Sequence, residues 1–438
     1  MFQHNSMKTV LKLDSQEVTR LFSNLVLDGG RLSHQPGSIL GSTALVAGTT
    51  VGAGILALPA VTLPSGVIPS TVLLIAVWLY ALVSGLLIAE VSLSAMRSLG
   101  RESLGLLPMI ESTLGLAGAT IAGGAYLFLH YALLVAYIAQ GGEILVSAAE
   151  QLFGIQNVPA WVGTTSFTLV FGGIMYFGRE RLVEKLNSAF VAIVIASFLG
   201  LLLFGFGQVN GSGLLFQNWS ALPNAVPVML VALFYHNVIP AVALQLEGDA
   251  RLIRSSIFVG SAIPLIMFLA WNAVVLGSVS PALVQGVSNG KTVFDPLQIL
   301  RDNGTGEWLG VLVSVFSEFA IVTSFIGFVY GLLDLFKSIS FVAPNELCLH
   351  KALYSLILFP PMSMSALNPS IFFTAIDYAG TFSISVLGGI IPALMSWKQR
   401  QSNREHQPLV GGGKVTLIVM IGVASAVIIK QILSIYGF

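Results

Sequence analysis

Charge is what this sequence has least of. Only 9% of its 438 residues are Asp, Glu, Lys or Arg, against about 25% in a soluble domain. A chain so poor in charge cannot dress a folded body in a solvated surface. A mean hydropathy of +0.87 per residue places it in a bilayer. Its twenty basic and twenty acidic residues cancel, so it has no basic footprint for nucleic acid. Cysteine occurs once, at Cys348, which excludes internal disulfides and cysteine metal clusters. HExxH, GxSxG, a phosphate-cradling glycine loop and paired-histidine metal motifs are all missing. Nothing therefore points to an enzyme, a cofactor or a bound metal. Residues 1–36 hold no secretory signal: they are polar and mixed in charge, and the first apolar run comes too late and is too long. They read as a cytoplasmic N-terminal tail, unstructured, with Val18 to Leu27 as a possible amphipathic turn at the membrane surface.

What is present is apolar sequence, 55% of the chain. A spanning helix needs about 20 apolar residues. Eleven stretches qualify: 38–61, 68–96, 116–148, 160–177, 187–208, 224–246, 255–280, 308–336, 349–366, 371–396 and 414–436. The ninth is interrupted by Pro360-Pro361. These predict an all-α polytopic membrane protein, with a transmembrane domain over residues 37–436. With the N-terminus in the cytoplasm, seventeen of the twenty Lys and Arg fall on the inner side. Only Lys291, Arg301 and Lys430 fall outside. The positive-inside rule favours that orientation, with the C-terminus outside. Losing one span would invert every later loop, so the asymmetry supports the count as well.

Helices 1–5 (about 38–208) and 6–10 (about 224–396) then enter the membrane from opposite faces, and helix 11 (about 414–436) follows. Two five-helix halves related by an in-plane pseudo-twofold are a plan of secondary transporters, with the site at the repeat interface. Both first helices are interrupted. Helix 1 carries Gly48-Thr49-Thr50-Val51-Gly52-Ala53-Gly54-Ile55-Leu56-Ala57-Leu58-Pro59, and helix 6 carries Phe234-Tyr235-His236-Asn237-Val238-Ile239-Pro240. Glycine weakens a helix interior and lets a second backbone or a ligand come close. An unwound turn at membrane depth is tolerated only when buried in protein or lining a cavity. Gly48 and Gly52 also form a small-xxx-small packing face, but Gly54 and Pro59 favour a break.

The stretch from Gly48 to Pro59, GTTVGAGILALP, resembles the first-helix signature of the hydroxy and aromatic amino acid permeases, the tyrosine/tryptophan branch above all. FYHNVIPAV in helix 6, IVTSFIGFVYGLLDLF in helix 8 and YLFLHYALLVAYIAQGG in helix 3 agree with it in order and spacing. The likeness covers roughly residues 38–436. It implies the inverted-repeat fold of the bacterial leucine transporter, within the amino acid–polyamine–organocation superfamily. It also implies proton-coupled uptake of an aromatic amino acid.

A zwitterion with a flat side chain makes definite demands. By resemblance the break of helix 1 falls on Gly52, Ala53 and Gly54, and the zwitterion's carboxylate suits free amides at the start of the outer half, near Ala53, Gly54 and Ile55. Its ammonium suits carbonyls near Thr49 and Thr50, and near Phe234 and Tyr235. By resemblance the third helix adds an aromatic; among Tyr126, His130, Tyr131 and Tyr137 the expectation is Tyr131, although spacing does not fix which one faces inward. His130 reads as structural. His236 is costly in a spanning segment and exchanges protons near neutral pH. It either recognises the ring, carries the coupling proton, or bonds a carbonyl freed by Pro240. Asn237 satisfies backbone or binds ligand. Thr323 and Ser324 match the place where sodium-coupled relatives in the superfamily hold their ion, so sodium stays open beside the proton. Hydroxyls in spanning helices also bond the preceding turn. Glu90, Glu143, Glu318, Asp334 and Asp377 are the remaining intramembrane acids; Glu318 is the second coupling candidate.

Overall fold

The structure, a computed structural model of the chain, describes residues 20–28, 31–52, 54–99, 105–154, 157–207, 209, 211–278, 307–339, 346–402 and 408–437. Helix follows apolar sequence almost stretch for stretch. The first span forms two pieces, α1a (Ile39–Thr50) and α1b (Gly54–Thr62), inclined at 51°. Then come α2 (Val67–Leu99), α3 (Leu106–Phe153), α4 (Ala160–Phe177) and α5 (Glu180–Phe206). The sixth span is again split, into α6a (Val226–Ala232) and α6b (Ile239–Gln245). The chain continues with α7 (Ala250–Ser278), α8 (Glu307–Ile339), α9 (Glu346–Leu367), α10 (Phe372–Ser402) and α11 (Gly413–Ile435).

Among the described residues nine helices are long and apolar enough to cross a membrane, and ten if α1a and α1b count as one span. The element outside that group is α9, whose composition is diluted by His350, Lys351 and Pro360-Pro361. Its Leu356, Phe359, Met364 and Leu367 are nonetheless exposed. Similar exposed rows on α5 (Leu199, Leu203, Phe204) and α11 (Ile418, Val419, Val423) suit acyl chains rather than water. The chain is an integral membrane protein.

The buried centre lies where α1b, α2, α6, α7 and α8 meet, around Ile55, Ile88, Tyr235, Phe268, Trp271, Phe316 and Phe325. Between apolar helices in lipid, shape and hydrogen bonds hold the bundle. Trp271 Nε1 donates to the Ile55 carbonyl at 3.0 Å, and Thr62 Oγ1 to Asn272 Oδ1 at 2.7 Å, tying α1b to α7. Glu90 on α2 is fully buried and takes Arg400 of α10 in a two-pronged ion pair at 2.7 and 2.9 Å. The Leu409 amide adds a third bond at 2.9 Å. This deep acid is a structural anchor. Gly115, with φ +79°, kinks α3, so the straight part begins at residue 116, where the apolar run begins. Wider π turns occupy Thr168–Gly172 in α4, and Ala379–Ile384 and Val386–Ile390 in α10.

The N-terminal segment departs from the expectation of a loose tail and from a strictly all-α fold. Strands β1 (Leu25–Asp28) and β2 (Arg31–His34) pair antiparallel, with Leu25 opposite His34. The segment is pinned where α6b ends. Glu247, in the left-handed region at φ +54°, accepts from the Asn24 amide at 2.5 Å and from His34 Nε2 at 2.7 Å, with Arg20 at 3.7 Å. The Leu21 amide donates to the Glu247 carbonyl at 2.8 Å. A buried carboxylate at a helix end needs donors, and the chain just before α1a supplies them.

Candidate functional site

The break in α1 is built by two missing side chains. α1a closes with the Val51 amide on the Ala47 carbonyl at 3.1 Å, after which Val51 turns extended at ψ 98°. A Cβ on Gly52 would stand 2.7 Å from Ser324 Oγ on α8, and one on Gly54 would stand 2.8 Å from Ala232 Cα at the end of α6a. Only glycine allows either approach. The hydroxyls of Thr49 and Thr50 turn back to Leu45 and Val46 carbonyls at 2.7 and 2.8 Å, so they stabilise the last turn of α1a. The Ile55 amide bonds the Gly52 carbonyl at 3.1 Å. That corrects the expectation that Ile55 offers its amide to a carboxylate: the turn across the break uses it. Ala53 lies outside the described residues.

The break in α6 lies opposite. α6a ends with the Leu233 amide on Met229, and single turns follow: Phe234 amide to Val231 and Val238 amide to Tyr235, both at 3.2 Å. Tyr235 leaves helical geometry at φ −140° and ψ 13°, and Pro240 starts α6b where an amide hydrogen would have no partner. Asn237 is exposed. The Tyr235 ring leaves the gap, and its hydroxyl donates to the Ala81 carbonyl of α2 at 3.2 Å; this residue offers only backbone to the break. His236 is 2% exposed. It stacks between Phe234 and Tyr235, with centroids 4.8 and 5.2 Å apart, and faces Gly388 of α10. Among the described residues neither ring nitrogen has a hydrogen-bond partner. The bond to a carbonyl freed by Pro240 is thus not made. Thr381 and Ser383, on the preceding π turn of α10, also bury hydroxyls without partners among the described residues. Sequence reasoning had no reason to single these two out.

α8 and α3 close the site. Thr323 and Ser324 donate to the Ala320 carbonyl at 3.1 and 2.9 Å, which leaves their oxygens able to accept. Ser324 is also hydrogen-bonded to the buried hydroxyl of Tyr137. Tyr126, His130 and Tyr137 all turn toward Phe328 and Gly331 of α8. Tyr131 does not: its hydroxyl donates to Leu356 of α9 at 2.9 Å. The aromatic of α3 beside the break is therefore Tyr137. Residues 126, 130 and 137 share one helical face and residue 131 lies about 100° away, a spacing that singles out the group. His130 bonds the Tyr126 carbonyl at 2.8 Å. Glu318 buries both carboxyl oxygens without a partner among the described residues; no bond joins it to His236.

Two broken helices, crossed by α3 and α8, now have a counterpart among known proteins. The sequence profile of the tryptophan/tyrosine permease family matches residues 35–431. The chain belongs to the tryptophan/tyrosine permease family. Tyrosine-specific transport system 1 of Haemophilus influenzae is 29% identical over 402 residues, which cover 87% of this chain and 93% of that protein. The tryptophan-specific transport protein of the same organism is 29% identical over 408 residues, covering 89% and 95%. Among solved structures, that of MhsT in complex with L-phenylalanine superposes with a TM-score of 0.56 at 19% identity, covering 91% of this chain and 99% of that one. The likeness is one of fold, that of the bacterial leucine transporter type. The family and these relatives are permeases and transport proteins, not enzymes.

In this permease the site is mostly backbone. The missing side chains at the α1 break bring its main chain close to its neighbours: Gly54 against α6a, Gly52 against the Ser324 hydroxyl. A cavity of about 360 Å3 lies between α5 and α8, lined by Val183, Glu184 and Asn187 of the first and by Thr323, Ile326, Gly327 and Tyr330 of the second.

Proposed function

We propose that the chain is a secondary active transporter that carries an aromatic amino acid, tyrosine or tryptophan, into the cytoplasm with a proton. It does so by alternating access around α1 and α6. One observation carries this reading: two split helices pack against each other at their breaks, Gly54 on Ala232, inside an integral membrane chain of this family. On this reading the eleven helices are spans, five and five in inverted repeat plus α11. The N-terminus is cytoplasmic, the C-terminus outside and the membrane a bacterial inner membrane.

The substrate carboxylate sits at the amide end of α1b, near Gly54, where the half-helix dipole is positive. The ammonium takes carbonyls from the end of α1a and from Phe234 and Tyr235. His236, Thr381 and Ser383 are buried polar groups without partners. Such groups cost about 1–3 kcal/mol each when unmet, and a phenol hydroxyl or an indole N–H would satisfy them. On this reading the cavity between α5 and α8 is the inner exit. One positive charge crossing 100 mV is worth about 2.3 kcal/mol, enough for roughly fortyfold accumulation of a neutral zwitterion.

A second reading keeps the fold and replaces the proton with sodium, because Ser324 and Thr323 stand beside the α1 break. Purified chain in liposomes decides between them. Under an imposed proton gradient, labelled tyrosine or tryptophan should accumulate. His236→Gln, which keeps a hydrogen-bonding group for the substrate but cannot carry the proton, should abolish accumulation while exchange across equal concentrations persists. Accumulation that follows a sodium gradient and ignores a protonophore would replace the first reading with the second.

A further inference from the structure

A larger cavity, about 920 Å3, lies away from the breaks. It is a groove along α11, walled on its other sides by α2, the start of α6a and α10. Its α11 wall runs from Thr416 to Ser434. That is about 27 Å of helix at 1.5 Å per residue, close to the ~30 Å of a bilayer's hydrocarbon core. The walls are apolar along the middle, with Leu73, Val77, Leu230, Val423 and Val427. Polar groups collect at one end. There Lys430 Nζ donates to Asn224 Oδ1 at 2.8 Å, and Gln431 Nε2 donates to Asp377 Oδ2 at 3.0 Å.

An amino acid has no use for a long apolar trough; a bilayer amphiphile does. The mouth holds one cation and one anion, and each keeps unused hydrogen-bonding capacity. A purely anionic headgroup would meet repulsion from Asp377. A quaternary ammonium has no N–H to give its carboxylate. A primary ammonium beside a phosphate complements both charges.

We propose that this groove binds one phosphatidylethanolamine-type lipid, with an acyl chain along α11, its phosphate on Lys430 and its ammonium on Asp377. Pro227 and Leu230 of α6a line the same groove, so the lipid touches the half-helix that leads into the α6 break. The inference rests on placement in a bilayer and is independent of the cargo and of the coupling ion.

Native mass spectrometry of the full chain tests it, with phosphatidylethanolamine, phosphatidylcholine and phosphatidylglycerol of identical acyl chains added in turn. One phosphatidylethanolamine per chain should be retained at least tenfold better than the other two. Lys430→Met and Asp377→Asn should bring it down to the phosphatidylcholine level. Val423→Trp, which fills the apolar wall, should prevent retention of all three; circular dichroism and melting report whether each variant is folded. If one variant fails to fold, the other two still decide. Equal retention of the three lipids, or unchanged selectivity in the folded variants, would overturn the proposal. So would a lipid-free dimer that Val423→Trp dissociates, since the groove would then be covered by a second copy of the chain.

Discussion

Gly52 acts through what it lacks. Its hydrogen leaves room for Ser324 Oγ, which an added Cβ would meet at 2.7 Å; the next atom, Ser324 Cβ, lies at 3.8 Å. Gly52→Ala should therefore cost about 1–3 kcal/mol of stability by overpacking, read as a lowered melting temperature in detergent. Ser324→Ala removes the obstructing atom, so the double variant should recover most of the loss. A double variant as unstable as Gly52→Ala alone would show that the strain lies elsewhere in the break. The same cycle measured in uptake separates packing from ion binding. A serine needed as an ion ligand leaves the double variant stable but inactive. His236 and Glu318 have the opposite character: present, buried and without hydrogen-bond partners among the described residues, they are the groups a substrate or proton would satisfy.

At the scale of elements, the segment before α1a and the end of α6b form one clamp. Glu247 is its centre. Burial pushes its carboxyl pKa upward, but the Asn24 amide, His34 and Arg20 outweigh that and hold it below the ordinary carboxylate value. A depressed folded pKa means that the clamp is at full strength above the unfolded pKa. It weakens as pH falls through the folded one. Hydrogen exchange of residues 20–36, corrected for intrinsic rate, should accordingly show more protection at pH 7 than at pH 3. Glu247→Gln should lose protection at pH 7 and flatten the dependence on acid. Protection in that variant equal to the parent's would mean that the Leu21 and Asn24 backbone bonds hold the segment unaided. The buried Glu90–Arg400 pair is a second element-level tie, joining α2 to α10 and to the chain entering α11.

For the whole molecule, transport by the proposed cycle requires α1a to part from its neighbours on the side that opens. Thr43 Oγ1 on α1a and Ser256 Oγ on α7 are 3.3 Å apart and buried, side chains short enough for a disulfide between cysteines in their place. With Cys348 replaced by serine, Thr43→Cys/Ser256→Cys should stop uptake on oxidation and regain it on reduction. Substrate binding measured from the opposite side should persist. Undiminished uptake by the oxidised protein would exclude movement of α1a against α7 as part of the cycle.

Sequence by itself determined the apolar helices and the two interruptions. Hydropathy decides what can lie in lipid, and Gly52, Gly54 and Pro240 mark where a helix interior is weakened before any partner is known. It did not determine which way a side chain turns. Tyr131 and Tyr137 are both aromatic and lie within two turns of each other on α3, on different faces of the helix. Packing against α8 and α9 chose between them. Nor could local pattern show that Tyr235 turns out to Ala81, that the Ile55 amide is used within the break, or that Glu247 gathers the chain ahead of α1a. Those depend on partners a hundred or more residues away, or on how a freed amide closes its own turn. They exist only once the helices stand side by side.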